Sequence, residues 1–365
     1  MSARESHRSK RIVCGAALLA TAYAAFSCCM VPESFLGSIS QNAQNAIIFH
    51  QGNREELILR INYQITGDSM PDRFAWIVTT PTEPDAYRVA NEDLFTSVDE
   101  WASALLTPRP SPVATGCGMG CGRQDDPAAS LSFEEKALIF GELAEVGPYT
   151  IRPVRARGAD ALEALNAWLK KNGFPSEDPE HMKWFIEKEF TFLCIKVTPP
   201  EGKTAVPESS FLPPLQISFE SEQLYYPLLF SARQGMFALS LYTLTDQPLN
   251  FAASKHNLNR INWHDRGLYK NVEVAKKDLP DRLVEASKES KLNSPDAQWH
   301  LNIVSSPIVN MEAEILNWTE DLFFTTGGKN VQVDKVARRF DIGAPFAVFC
   351  AAVFLLGRRL FRPHD

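Results

Sequence analysis

Asp160-Ala-Leu-Glu-Ala-Leu-Asn-Ala-Trp-Leu-Lys-Lys-Asn-Gly173, followed by Phe190-Thr-Phe-Leu-Cys-Ile-Lys-Val197, decides how the chain is read. In the first stretch Leu162, Leu165, Trp168 and Leu169 recur at the spacing that lines one face of a helix. Asp160 with Glu163 makes a capping-box-like start, Lys170 and Lys171 suit the negative end, and Asn172-Gly173 stops it. Asp178-Pro179 opens a second helix with Met182, Phe185 and Ile186 inward. The second stretch is apolar on both faces, which suits a central strand, and Val146 to Val154 is extended before the first helix. The unit is strand, two helices, strand. Cys194, inside the last strand, is expected to be a buried thiol.

Working back towards the N-terminus, Ala46 to His50, Glu56 to Ile65 and Arg73 to Thr80 are β-rich runs separated by turn material at Gln51-Gly52-Asn53 and Gly67-Asp68. In the middle run Leu57, Leu59, Ile61 and Tyr63 share one face, while Ile58, Arg60, Asn62 and Gln64 make a largely wet one. The third run is apolar on both sides and is expected to be more central. From Asn91 to Leu106 the period becomes helical, with Leu94, Phe95, Val98, Trp101, Ala102 and Leu105 on one face and Glu92 and Asp93 in the first turn. This helix is expected to cover the sheet, with Trp101 in the core.

Thr107 to Ser130 reads as a loop containing Gly116-Cys117-Gly118-Met119-Gly120-Cys121-Gly122. Alternating glycine lets the backbone turn sharply enough to bring two sulfurs together or to a common partner. Three arrangements are open: a small Cys117–Cys121 disulfide loop, pairing with Cys28 and Cys29, and a metal or redox site. A zinc site usually assembles four ligands from two such knuckles, and the spacing is not the Cys-x-x-Cys of thiol oxidoreductases. A short amphipathic piece follows at Phe133 to Leu143.

Beyond Val197, Thr198 to Pro214 is proline-rich and reads as a linker or surface loop. Leu215 to Phe219, Leu224 to Ser231 and Met236 to Thr245 are further strands, the last two paired through Gln234-Gly235, with Phe237, Leu239, Leu241 and Thr243 on one face. Asp278 to Leu292 reads as a mostly polar helix with Leu279, Leu283 and Val284 inward. His300 to Val304 and Leu322 to Thr325 read as edge strands.

Both ends of the chain carry addresses. Arg4, Arg8, Lys10 and Arg11 precede an apolar run from Ile12 to Phe26, which is too short for the roughly 20 residues of a membrane span and reads as an export signal. Cleavage fits Ala22-x-Ala24 or Ala25-x-Ser27. The second choice starts the mature chain at Cys28, where lipidation is an alternative, as is a retained first helix. Ile342 to Gly357 contains no polar side chain and is followed by Arg358, Arg359 and Arg362. As a helix it rises about 24 Å, and snorkelling arginines close the gap to a hydrocarbon core of about 30 Å. It reads as a C-terminal anchor, a buried core helix being the alternative. Export of the N-terminus then puts the body outside and Arg358 to Asp365 inside.

The expected fold class is α+β, mainly antiparallel sheets covered by amphipathic helices, with an N-terminal signal and a C-terminal transmembrane helix. The expected divisions are signal 1–27, ectodomain parts 28–197 and 215–326 joined by 198–214, tether 327–341, span 342–357 and tail 358–365. A chain of 365 residues with 45% hydrophobic and 22% charged residues is ordinary for a globular protein. Its net charge of −7 argues against a nucleic-acid partner.

These segments resemble an uncharacterised bacterial family, the DUF2330 proteins. The residues that carry the resemblance are Cys28-Cys29 after a signal, Phe74-Ala-Trp-Ile-Val-Thr-Thr-Pro81, Val146-Gly-Pro-Tyr149 leading to Ala164–Gly173, and Phe190–Val197. Leu212–Phe219 leading to Tyr226-Pro-Leu228 adds to it, with an echo at Thr319-Glu-Asp-Leu-Phe323. The resemblance implies an exported, often membrane-associated protein and supplies no catalytic residue. The residues themselves show no His-Glu-x-x-His, Gly-x-Ser-x-Gly or phosphate loop. His50, His181, His256, His264 and His300 are too scattered to suggest a metal set. Trp263-His264-Asp265 reads as a surface turn, and no cofactor is expected. Two functions follow as expectations: a non-catalytic binding or scaffolding domain, anchored in the membrane with an envelope protein or polymer as partner, or an envelope redox or metal protein using Cys117 and Cys121.

Overall fold

A computed structural model describes residues 28–106 and 138–327, apart from 159, 178, 232–235, 251–252, 254–260, 262–267, 289–297 and 311–319. The chain enters through β1 (Cys29–Met30), then runs through β2 (Gly37–Gln51), β3 (Arg54–Gly67), β4 (Phe74–Thr80) and β5 (Ala86–Val89). Helix α1 (Leu94–Leu106) follows, and after it come β6 (Leu138–Phe140), β7 (Ala144–Val146) and β8 (Tyr149–Ala156). Helices α2 (Ala161–Lys171) and α3 (Pro179–Glu187) lead to β9 (Thr191–Val197), β10 (Ser209–Phe211), β11 (Leu215–Glu220) and β12 (Leu224–Tyr226). The last elements are β13 (Met236–Thr245), β14 (Leu268–Ala275), α4 (Asp281–Lys288), β15 (Gln298–Asn310) and β16 (Leu322–Phe324).

About half of the described residues are in strands and about a fifth in helices. One sheet has the order β14-β15-β13-β2-β3-β11-β5, with β10 also on β3, and a second has the order β1-β4-β9-β8-β6, with β7 also on β8. β12 and β16 make a separate ribbon. Every pairing is antiparallel except β13 with β2.

Alternation along the strands of the larger sheet separates two cores. Ala46 and Ile48 of β2, Leu57 to Ile65 of β3 at every second position, and Leu239 and Leu241 of β13 meet the smaller sheet, as where Tyr63 lies 4.9 Å from Phe74 between ring centroids. Ile47, Phe49, Ile58, Leu244, Leu301 and Ile303 face the other way, onto Phe95 and Val98 of α1 and Leu283 of α4. The molecule is therefore layered as α1 with α4, large sheet, small sheet, with α2 and α3 packed against the small sheet. Tyr149 ties the small sheet across the gap by donating its hydroxyl to the Pro213 carbonyl.

Several expectations from sequence change. The first three runs do not form one sheet: β2 and β3 pair, whereas β4 crosses to the smaller sheet beside β9. β2 begins nine residues earlier than Ala46, because Gly37 to Asn45 remain paired with β3. The opposite face of β3 is not largely wet, since α1 covers Ile58 and the Arg60 guanidinium lies 4.3 Å from the Phe95 ring and 4.6 Å from the Phe211 ring. Helix α1 starts at Leu94, so Glu92 and Asp93 precede it.

Further along, the piece at Phe133 to Leu143 contains a strand, β6, with 133–137 outside the described residues, and the proline-rich segment contains β10. The expected pairing through Gln234-Gly235 is replaced by β12 with β16 and by β13 inserted between β2 and β15. β15 is consequently interior, not an edge, with the unanticipated β14 outside it. Strands from both sides of residues 198–214 share the large sheet. The helices of the strand–helix–helix–strand unit form where expected, and β9 lies between β4 and β8. Among the described residues no helix is long and apolar enough to cross a membrane; 1–27 and 342–357 lie outside them.

Val146 to Val154 is extended as expected from Tyr149 onward, within β8, but it is interrupted at its start, where Gly147-Pro148 turns the chain back from β7. Gly147 sits there at φ +54°, and an added Cβ would lie 2.8 Å from Val89 Cγ2. Gly147→Ala is expected to cost about 1–2 kcal/mol, because L side chains are strained at positive φ and Val89 must also move. A urea midpoint unchanged from the parent protein would show that this turn relaxes freely.

Candidate functional site

The polar side chains between the sheets gather into two adjoining networks. The first depends on an irregularity in β2. Gln41 and Gln44 are three residues apart and would face opposite ways on a regular strand. The register against β3 slips between Gln41 and Ala43, and this bulge turns both inward, where they are 1% and 4% exposed. A directed chain of donors results. Tyr226 donates its hydroxyl to Gln44 Oε1 at 2.7 Å, Gln44 Nε2 donates to Ser231 Oγ at 2.5 Å, Ser231 donates to Cys28 Sγ at 3.7 Å, and the Cys28 thiol donates to Gln41 Oε1 at 2.8 Å. Beside these groups is a cavity of about 20 Å³, bounded also by Trp76, Val78 and Phe230.

The second network centres on Asp321, at 0% exposure. Its Oδ1 accepts from the backbone N–H groups of Leu228 at 2.8 Å and Leu229 at 2.6 Å, and its Oδ2 accepts from the Tyr225 hydroxyl at 2.6 Å and Thr79 Oγ1 at 3.4 Å. Tyr225 N–H donates to Glu55 Oε2 at 2.8 Å. Glu56, on the opposite face of β3 and so outside this network, accepts from Ser218 Oγ at 2.5 Å and Gln216 Nε2 at 3.1 Å. Tyr225 and Tyr226 are neighbours in β12, as are Val78 and Thr79 in β4, so the networks share their supporting strands and are served from opposite faces of them.

Burial sets the protonation of these groups. It pushes the Asp321 carboxyl up to about 6 against the four donors that favour its ionised form, and pushes Glu55 well above the usual carboxylate range. The same cause raises Tyr225 and Tyr226, and raises the Cys29 thiol, to which neighbouring Cys28 adds. A thiol held protonated and away from solvent is a poor nucleophile.

Of the candidate cysteines, Cys28 and Cys29 lie side by side, 4% and 1% exposed, with their sulfurs 4.0 Å apart. That is about twice a disulfide bond length, so no bond joins them, and both are thiols and not the disulfide partners of Cys117 and Cys121 that the sequence left open. Cys117 and Cys121 lie outside the described residues, as does Trp263-His264-Asp265. Cys194 is a buried thiol in β9, raised by desolvation, as its apolar neighbours suggested. Gln41, Gln44, Glu55, Tyr225, Tyr226, Ser231 and Asp321 were not anticipated. The visible signal was Glu55-Glu56 opening a strand of apolar residues, where two acids need internal donors. Among the described residues no group of three His, Cys, Asp or Glu is placed to hold a metal.

Fold and site together define a layered, β-rich protein whose N-terminal cysteine strand is built into the core. The chain belongs to the family described as an uncharacterized protein conserved in bacteria (DUF2330), whose model matches residues 21–292. The segments that carried the resemblance, Cys28-Cys29, Phe74–Thr80 and Tyr226-Pro-Leu228, converge on the two networks. A comparison with curated proteins gives no match. A solved structure described as the crystal structure of baculovirus P35 is similar at a TM-score of 0.38 and 8% identity, over 79% of this chain and 97% of that one.

Proposed function

We propose that the protein is a non-catalytic binding or scaffolding domain on the outer side of the cytoplasmic membrane, anchored by residues 342–357, with an envelope protein or polymer as partner. The observation that supports this reading is the inward direction of its polar chemistry. Cys28, Gln41, Gln44, Glu55, Tyr225, Tyr226 and Asp321 are each at most 4% exposed. Their hydrogen bonds run to one another, to Ser231 and Thr79, and to backbone groups, which joins the sheets instead of presenting a reactive group to a substrate. Burial of Cys28 Sγ against Gln41 also disfavours a lipid on that sulfur, leaving the C-terminal run as the anchor.

Membrane fractionation tests the anchor. The full chain is expected in the membrane fraction and a chain ended after Asp341 outside it. A truncated chain that stays with the membrane would point to a retained N-terminal span. Alkaline phosphatase fused after residue 326 is expected to be active, and an inactive fusion made at normal level would overturn the extracytoplasmic placement.

A further inference from the structure

We propose that Cys28 and Cys29 are a concealed dithiol that closes into a disulfide between adjacent residues when β1 leaves β4, making the first strand a redox-controlled strap. Three observations carry this. The sulfurs are already 4.0 Å apart, and a bend at Cys28 turns the two side chains towards each other although neighbours on a regular strand diverge. The cavity beside Cys28 leaves room for its sulfur to move. β1 is two residues long at the edge of its sheet, held by the pairs Cys29 with Trp76 and Met30 with Ala75 and by the Ile77 N–H donating to the Cys28 carbonyl at 2.7 Å. Few strand hydrogen bonds therefore have to break, while the burial of Cys28, Cys29 and Met30 and the Cys28 to Gln41 hydrogen bond keep the thiols concealed until β1 leaves.

The chemistry is thiol–disulfide exchange with a small or protein disulfide as oxidant. One cysteine thiolate attacks a sulfur of glutathione disulfide, forming a mixed disulfide and releasing one glutathione thiolate. The adjacent thiolate attacks the cysteine sulfur of that mixed disulfide and releases the second glutathione. The two thiol protons go to the two glutathiones, so the protein loses two hydrogens and two electrons, which reduce the oxidant. Disulfides ordinarily hold Cα atoms about 4.4–6.8 Å apart, whereas adjacent residues are fixed at about 3.8 Å, so this bond is strained and easily reduced. It is a switch and not a staple. Its eight-membered ring also bends the backbone away from the extended form that β1 needs to pair with β4.

Oxidation in the cell rests on the extracytoplasmic reading, while the chemistry is tested apart from it on purified full chain. Protein incubated with glutathione disulfide in urea, below its unfolding midpoint and where iodoacetamide labels both thiols, is expected to become lighter by two hydrogens, localised by fragmentation to Cys28 and Cys29. Amide exchange at Ile77 is expected to accelerate in the oxidised form, because its acceptor is the Cys28 carbonyl. Cys28→Ser and Cys29→Ser should each stop at a glutathione adduct. Thiols that label but do not join, a bridge from either to Cys117 or Cys121, or an oxidised chain with unchanged Ile77 exchange would each overturn the proposal. An inactive phosphatase fusion with successful closure would remove only the cellular setting.

Discussion

Replacing Phe185 by alanine is expected to lower folding stability by about 4–5 kcal/mol, at the upper end for a buried phenylalanine because its ring also makes several aromatic pairs. Phe185 is on α3 at 0% exposure. Its ring centroid is 5.0 Å from Trp184, 6.0 Å from Phe190, 5.9 Å from Phe192 and 5.4 Å from Phe230. Phe192 belongs to β9, and Phe230 to a 3-10 turn at Leu229–Ser231 that carries a member of the cysteine network, so one side chain joins α3 to the small sheet and to that network. The lost area is only part of the effect. The neighbours are rings held by one another, and they cannot collapse into the space without leaving their own contacts. The measurement is the urea midpoint at unchanged slope. Phe185→Leu, which keeps most of the volume, is expected to cost about 1–1.5 kcal/mol. A loss under about 1 kcal/mol for alanine would mean that α3 does not dock on β9 through this residue.

What the sequence discloses follows the range of the forces involved. Leu162, Leu165 and Leu169 repeat within one helix, and the structure buries them or packs them on the core as that period requires. The tetrapeptide Glu-Asp-Leu-Phe shows the opposite limit. At 92–95 it leads into α1 with Asp93 exposed, and at 320–323 the same four residues lead into β16 with Asp321 fully buried. Nothing local separates these outcomes. The difference comes from the partners, since Leu228, Leu229, Tyr225 and Thr79 surround Asp321 whereas Asp93 faces solvent. The bulge at Gln41 to Ala43 was equally hidden, because a one-residue slip in register has no mark in composition yet brings two glutamines to one face. β4 reads as central on its apolar faces, but which sheet it enters is set by β9, more than a hundred residues later. The candidate site is made almost wholly of such distant pairings. Cys28 and Cys29 could be named in advance and their companions could not.

Asp321→Leu is expected to destabilise the protein by about 3–5 kcal/mol, because it removes the one acceptor on which several buried donors converge. Thr79 and Tyr225 can turn their hydroxyls to each other across 2.9 Å. The Leu228 and Leu229 N–H groups have no such freedom, and each buried donor left without an acceptor costs about 1–3 kcal/mol. Asp321→Asn keeps an acceptor for both and is expected to be much milder, so the contrast separates lost hydrogen bonding from lost volume. The asparagine variant also isolates the titration. The folded carboxyl is raised to about 6 from an ordinary 3.8, so between these values the folded state holds a proton that the unfolded state has released. Stability from this group is greatest below the unfolded value and falls as pH rises towards about 6, by about 3 kcal/mol over the window. Glu55, also raised by burial, moves in the same direction, so the informative quantity is the difference between parent and Asp321→Asn proteins measured from pH 4 to pH 7. The parent should lose stability relative to the variant as pH rises. A parallel pair of profiles would show that the four donors hold Asp321 ionised across the whole range, which would place the hydrogen bonds above desolvation in fixing its charge.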